Sequence, residues 1–257
     1  MSLKLSVLIP SIRPQNLRRL YDSIKSAFSG EFEAIVASPY PLPDDMKFDN
    51  VKLITTWRAP LAAQQEALTH ATGEWISWCA DDGWCLPGSY DKAFELLKDK
   101  DYKTIITGKY QEGERKNDHM EKEEYYILDN HHGSQAIFLP PKSYMLNCGL
   151  ISRKLIFEVG GWDAKEFSTC PPGYNDLSVR LNKYGCEFII PDFMMFECTH
   201  EPGITGTHAP IHNVQTLLDE PKFREIWSHP YFSKRIAIDL NNWKRTPERW
   251  ENRFGKG

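Results

Sequence analysis

The spacing of apolar residues changes period repeatedly along the chain, and each change marks an element. The stretch from Leu3 to Ile9 is short, rich in branched side chains and closed by Pro10, which predicts a buried strand. From about Pro14 to Phe28 the period lengthens. Leu17, Leu20, Ile24 and Phe28 recur every three or four residues, Pro14 suits a first helical turn, and Gly30 lies just past the end. The alternation continues with strands from Phe32 to Ala37 and from Val51 to Thr55, then a helix from Pro60 to about Ala71 ended by Gly73. A strand from Trp75 to Ala80, a helix from Ser89 to Leu97 and a strand from Tyr102 to Thr107 follow. Strand character returns from Gln135 to Leu139, from Glu187 to Ile190 and from Met194 to Cys198, with helices from about Arg153 to Val159 and from about Asp176 to Tyr184. Strands alternating with helices predict an α/β domain with a mostly parallel central sheet flanked by helices.

Two segments break the pattern. Residues 111 to 133 hold seven acidic and three basic side chains, the adjacent His131 and His132, and few apolar positions, and they read as a solvated insertion. Residues 222 to 257 carry nine basic and four acidic residues together with Trp227, Trp243 and Trp250, against a net charge of −9 for the residues before them. The expected organisation is one domain over residues 1–221 and a helical, basic extension over 222–257 packed on it through its tryptophans. The same mixture of basic and aromatic residues also suits peripheral contact with a membrane or an acidic partner.

Composition narrows the classes. At 257 residues and 41% apolar side chains, the chain can bury a sizeable core. Its net charge of −4 supplies no global attraction to a polyanion, so a nucleic-acid partner would need a local basic patch. Six cysteines, at 79, 85, 148, 170, 186 and 198, include no Cys-x-x-Cys pair and read as half-buried thiols of a reducing compartment. No run approaches 18 apolar residues, so the expectation is a soluble, cytoplasmic protein without a transmembrane segment.

Candidate chemistry begins where the strand from Trp75 runs into Asp81-Asp82-Gly83. In open α/β sheets ligands bind at the carboxyl ends of strands. Adjacent acids repel unless a cation or a base offsets them, and loop carboxylates suit Mg²⁺ or Mn²⁺, which keep positions open for phosphate oxygens. An acidic turn is the plain alternative. Further on, Gly160 is placed to close the helix from Arg153, and Asp176 to cap the helix that follows it.

The stretch Gly73-Glu-Trp-Ile-Ser-Trp-Cys-Ala-Asp-Asp82, continuing to Leu86-Pro87-Gly88, resembles the central segment of family 2 glycosyltransferases with the GT-A fold. In that family an Asp-x-Asp motif carries the divalent ion that binds a nucleotide-sugar diphosphate. In register, Asp82 matches the second Asp, Asp81 the middle position and Ala80 the first, so the first acid is missing; this bears on donor contacts more than on the metal. Cys148-Gly149 through Gly160-Gly161-Trp162-Asp163, followed by Asn175-Asp176, resembles the acceptor half of the same family, in the same order. The resemblance implies that Asp176 is the general base, with Asn175 in place of its usual acidic neighbour, and that Gly149, Trp162, Asp163 and Asn175 face the acceptor. It further implies His200 as a second metal ligand beside Asp82, and Pro10, Ser11, Arg13, Arg58, Asp81 and Asp82 as donor-binding residues. The acid that usually contacts the base after the second strand is replaced around Ala37. His208 and His212 are spaced like a zinc pair, but Pro210 between them argues for loop residues near the donor phosphates.

The function implied is inverting, Mn²⁺- or Mg²⁺-dependent transfer of a sugar from a nucleoside diphosphate sugar, a UDP-sugar favoured, to the hydroxyl of a glycan or another acceptor. Two rivals stand beside it. One is a non-catalytic carbohydrate-binding or scaffold domain derived from a transferase. The other is a sugar-phosphate nucleotidyltransferase, which needs a glycine-rich loop where this chain has Ser11-Ile-Arg-Pro14.

Overall fold

The structure, a computed structural model, describes residues 4–112, 115–116, 119–120, 123–124, 147–198, 208–228, 234–245 and 250–254, with backbone alone from 110 to 124. Its first half is a run of strands and helices: β1 (Leu5–Pro10), α1 (Leu17–Ala27), β2 (Phe32–Ser38), β3 (Val51–Thr55), α2 (Pro60–Leu68), β4 (Trp75–Trp78), β5 (Gly83–Cys85), α3 (Ser89–Leu96) and β6 (Thr104–Ile106). Short strands β7 (Tyr110–Glu112), β8 (Arg115–Lys116), β9 (His119–Met120) and β10 (Glu123–Glu124) follow, then β11 (Ile151–Ser152), α4 (Arg153–Glu158), α5 (Cys170–Tyr184), β12 (Glu187–Ile189) and β13 (Phe196–Cys198). A last helical stretch joins α6 (Ala209–Val214) through a π-helical segment to α7 (Glu220–Ser228).

The main sheet has the order β11-β4-β1-β2-β3, parallel throughout except for β11 on the edge. β1 and β2 are buried almost along their whole lengths, which is why their sequences are nearly unbroken apolar runs instead of alternating ones. α1 turns Leu17, Leu20, Tyr21, Ile24 and Ala27 inward. By contrast α2 is buried on nearly every side, and its alanines permit close approach to β1 and β2 beneath it. A second sheet, β10-β7-β13-β5, sets Cys198 opposite Gly83.

One helix differs from its expected extent. α5 begins at Cys170, six residues before Asp176, because Pro171 and Pro172 occupy the first turn, where a missing N–H costs nothing. Asp176 therefore lies inside the helix and caps nothing. Gly160 does adopt the left-handed conformation just past α4, with φ +82°.

The expected boundary at 222 falls within α7, whose Phe223, Ile226 and Trp227 join the core of the sheet domain. Farther along, Trp250 is fully buried against Ala59 and Ala62 of the α2 region, and its backbone N–H donates to the Trp57 carbonyl at 2.7 Å. The strand expected from Gln135 to Leu139 and the histidines at 131 and 132 lie outside the described residues. Among the described residues no helix is long and apolar enough to cross a membrane.

Candidate functional site

A cleft of about 430 Å³ opens at the carboxyl edge of the main sheet. The sheet order arranges its walls. The loop after β1 supplies Pro10, Ser11 and Arg13; the ends of β2 and β3 supply Ala37, Pro39, Thr56, Trp57 and Arg58; β4 leads into Cys79 to Asp82. On the other side of β4, Asn147 and Cys148 precede the antiparallel β11, and the first two turns of α5 contribute Cys170, Pro171, Tyr174 and Asn175. His208, Ile211, Gln215 and Phe254 add to the lining, as do Phe196 and Cys198 of β13.

The two aspartates do different work. The Asp81 carboxylate accepts from the Ser11 hydroxyl at 2.9 Å, from the backbone N–H of Ile12 at 3.1 Å and of Arg13 at 3.0 Å, and pairs with the Arg13 guanidinium. It thereby pins the β1 loop to the end of β4. Burial pushes its pKa up, with Arg13 pulling the other way. Asp82 has Arg13 Nη1 at 3.3 Å and His208 Nε2 at 3.2 Å from Oδ2, while the Cys198 thiol lies 3.0 Å from Oδ1. Burial raises its pKa, but the hydrogen bonds from His208 and Cys198 and the charge of Arg13 outweigh that and hold the group well below the ordinary carboxylate range. His208 Nε2 also faces Arg13 Nη2 at 2.9 Å. Arg58 stacks its guanidinium 4.8 Å from the Trp243 ring centre and pairs with Glu66 at 3.3 Å, which fixes one rim of the cleft.

The structure thus gathers Pro10, Ser11, Arg13, Arg58, Asp81 and Asp82 around one cleft, as expected from the sequence. Of the four acceptor-side residues only Asn175 lines it. Trp162 is fully buried, edge-on to Trp78 with ring centres 4.9 Å apart, and serves the core. Asp163 pairs with Arg235 and accepts from the backbone N–H groups of Lys165 and Glu166, which makes it a turn-former. Gly149 is required by packing, since a Cβ there would meet the Ile106 carbonyl oxygen at 1.9 Å.

Asp176 is placed differently from what a base needs. It is fully buried, accepts from Arg180 Nε at 2.8 Å and from the Trp227 indole N–H at 3.1 Å, and does not line the cleft. Arg180 in turn donates to the carbonyls of Val159 and Gly161, so the pair ties α5 to the end of α4. A carboxylate held this way has no path to a hydroxyl in the cleft, and the in-line displacement expected of it lacks its base at this position. His200 lies outside the described residues. Among the described residues, no group of three or more His, Cys, Asp or Glu side chains is arranged to hold a metal ion.

Sequence reading missed Cys198, Tyr174 and Asn147 as cleft residues and left His208 as a loop neighbour of the donor phosphates. His208 directly precedes α6, with Pro210 in its first turn, and reaches Asp82 across the chain; no spacing signal announces such a contact. His212, four residues on, is exposed.

A model of the family described as Glycosyl transferase family 2 matches residues 6–160. A search of curated proteins finds no match. Among solved structures, the crystal structure of S. aureus TarS is 15% identical, with a TM-score of 0.53 over 97% of this chain and 46% of that one. S. aureus TarS 1-349 in complex with UDP is 14% identical at TM-score 0.53, covering 97% and 77% of the two chains; the complex with UDP-GlcNAc is 13% identical at 0.52, covering 98% and 78%. At these identities the likeness is one of fold. The chain spans about half the length of S. aureus TarS.

Proposed function

Since the chain belongs to glycosyl transferase family 2 over most of its main sheet, we propose that it moves a sugar from a nucleoside diphosphate sugar, a UDP-sugar in the first instance, to an acceptor hydroxyl. One observation carries this reading: Arg13, Asp82 and His208 meet at the middle of a strand-end cleft, with the uncharged shelf of Ala37, Pro39 and Trp57 two and three strands away. At about 4.8 Å per strand, that offset of roughly 10 to 14 Å suits a nucleoside laid along the sheet edge with its diphosphate at Asp82. The complexes of S. aureus TarS 1-349 with UDP and UDP-GlcNAc support the same donor class.

The residues at the centre fit a divalent ion. His208 Nε2 faces a donor, Arg13 Nη2, and an acceptor, Asp82 Oδ2, at once. A protonated nitrogen there opposes the guanidinium, and a lone pair opposes the carboxylate. A cation shared by the imidazole and the carboxylate, whose ligand atoms lie 3.2 Å apart, would resolve the second conflict provided that it displaced Arg13, which stands 2.9 Å from Nε2 and 3.3 Å from Oδ2. Asp82 and His208 would hold Mn²⁺ or Mg²⁺, with His200 as a further ligand by resemblance. When bound, the ion neutralises charge on the departing diphosphate. Arg13 offsets the charge of both aspartates, Asp81 fixes the loop that carries Arg13, and Trp57 offers a ring beside the base. Asp176 acts in this reading as a positioning residue for α5.

A second reading is a non-catalytic domain that binds nucleotide sugars. It draws on the cleft's described lining, where Asp81 and Asp82 are the only carboxylates. Calorimetry with UDP, with and without Mn²⁺, followed by incubation with a panel of nucleotide sugars, separates the two. Metal-dependent binding with release of free nucleoside diphosphate is expected. Binding without release would favour the second reading, and no nucleotide binding at all would defeat both.

A further inference from the structure

The charges of the cleft lie on one side. Arg13, Arg58, Asp81, Asp82 and His208 stand at or beyond the end of β4 toward β3, whereas the wall on the β11 side, one strand step from β4, is formed by uncharged side chains among the described residues. Two of these are asparagines with hydrogen-bonding capacity to spare. Asn175 is 8% exposed, lines the cleft, and its amide makes no hydrogen bond to a described residue. Asn147 is 9% exposed and lines the cleft, and its oxygen accepts only the weak Cys148 thiol at 3.3 Å. Between the β11 edge and α2 stands Tyr174. Its hydroxyl is committed to Gln64 Oε1 at 2.7 Å, and burial holds that hydroxyl in its protonated form, so Tyr174 presents a ring and no charge.

An asparagine amide left to water on a cleft wall offers donors and an acceptor that a ligand hydroxyl can take in water's place. A carboxylate brought to the same wall would lose part of its hydration and meet no cation among the described residues that form it. We propose that Asn147 and Asn175, together with Tyr174 on the same wall, form the subsite for the sugar and select a neutral pyranose, a hexose or N-acetylhexosamine, over a uronic acid. This rests on the nucleotide-sugar reading above and adds to it the class of sugar.

The test compares dissociation constants for UDP, UDP-glucose, UDP-N-acetylglucosamine and UDP-glucuronate, in the presence of Mn²⁺, on the full chain. The neutral sugars should bind at least about 10-fold more tightly than UDP-glucuronate, as expected when a charged group is left unpaired. Asn175→Ala, and separately Asn147→Ala, should weaken the neutral UDP-sugars relative to UDP by about 5- to 10-fold, the effect of one hydrogen bond; Asn175→Ser should recover part of it. UDP affinity measured in the same variants reports whether the fold and the nucleotide half are intact. Equal binding of UDP-glucuronate, or equal weakening of UDP and UDP-sugars, would overturn the subsite while leaving the nucleotide reading standing. Failure of the unmodified protein to bind UDP would remove both.

Discussion

Two buried clusters of arginine and carboxylate, one at the cleft and one in the core, have opposite fates. At the strand-end cleft, Arg13 is shared between Asp81 and Asp82, and Asp82 keeps a histidine and a thiol as neighbours at the edge of an open space. In the core, Arg180 is spent on Asp176 and on backbone carbonyls, while the Trp227 indole donates to the other carboxylate oxygen and Arg235 Nη1 stands 3.7 Å from it. Burial alone does not mark a functional acid. What separates the two is whether the partners of the carboxylate leave it a face toward a ligand.

This contrast breaks most visibly at Asp176. Asp176→Ala should cost about 3–5 kcal/mol of stability, the usual result of stranding one member of a buried ion pair, read as a large drop in denaturation midpoint. UDP affinity of the folded fraction should be unchanged. A variant with normal stability and lost turnover would instead return Asp176 to the chemistry. At Asp82 the expected pattern is reversed. Asp82→Ala should weaken Mn²⁺-dependent UDP binding by about 100-fold or more while the denaturation midpoint moves little, since a metal-held diphosphate draws several kcal/mol from its ligands. Unchanged calorimetric binding would take Asp82 out of the ligand set.

A smaller contrast lies in the thiols. Burial pushes Cys170 up to about 12, so a cleft-lining thiol that might be mistaken for a nucleophile should alkylate far more slowly at pH 7.5 than an unfolded control. Rapid labelling in the native protein would contradict this. The smallest effect comes from the surface copy of the buried pair. Arg18 and Asp22 have the same i, i+4 spacing and the same 2.8 Å separation as Asp176 and Arg180, yet both are about half exposed. Asp22→Ala should leave the denaturation midpoint almost unmoved. A larger loss would mean that geometry outweighs environment.

The first half of the chain is legible in the sequence because β1 and β2 are buried on both faces and α1 on one, so that period and composition agree. The Asp81-Asp82 turn was legible for a related reason: carboxylates at a strand end have few structural uses. The α5 region was not. Pro171, Pro172 and Gly173 look like a loop, which moved the expected helix start to Asp176 and turned an interior ion pair into a cap. Trp162 and Asp163 follow a motif whose positions the fold needs for packing, and a motif does not say which way its side chains turn. His208 shows the remaining limit, since its contact with Asp82 depends on the path of the chain between them.

Stretches far apart in the sequence meet at the cleft, which Pro10 and Phe254 both line, and the Trp250 backbone N–H donates to the carbonyl of Trp57 there. The early strands can pair without the stretch that carries Trp250, so the surface around Trp57 and Ala59 stays uncovered until that stretch docks.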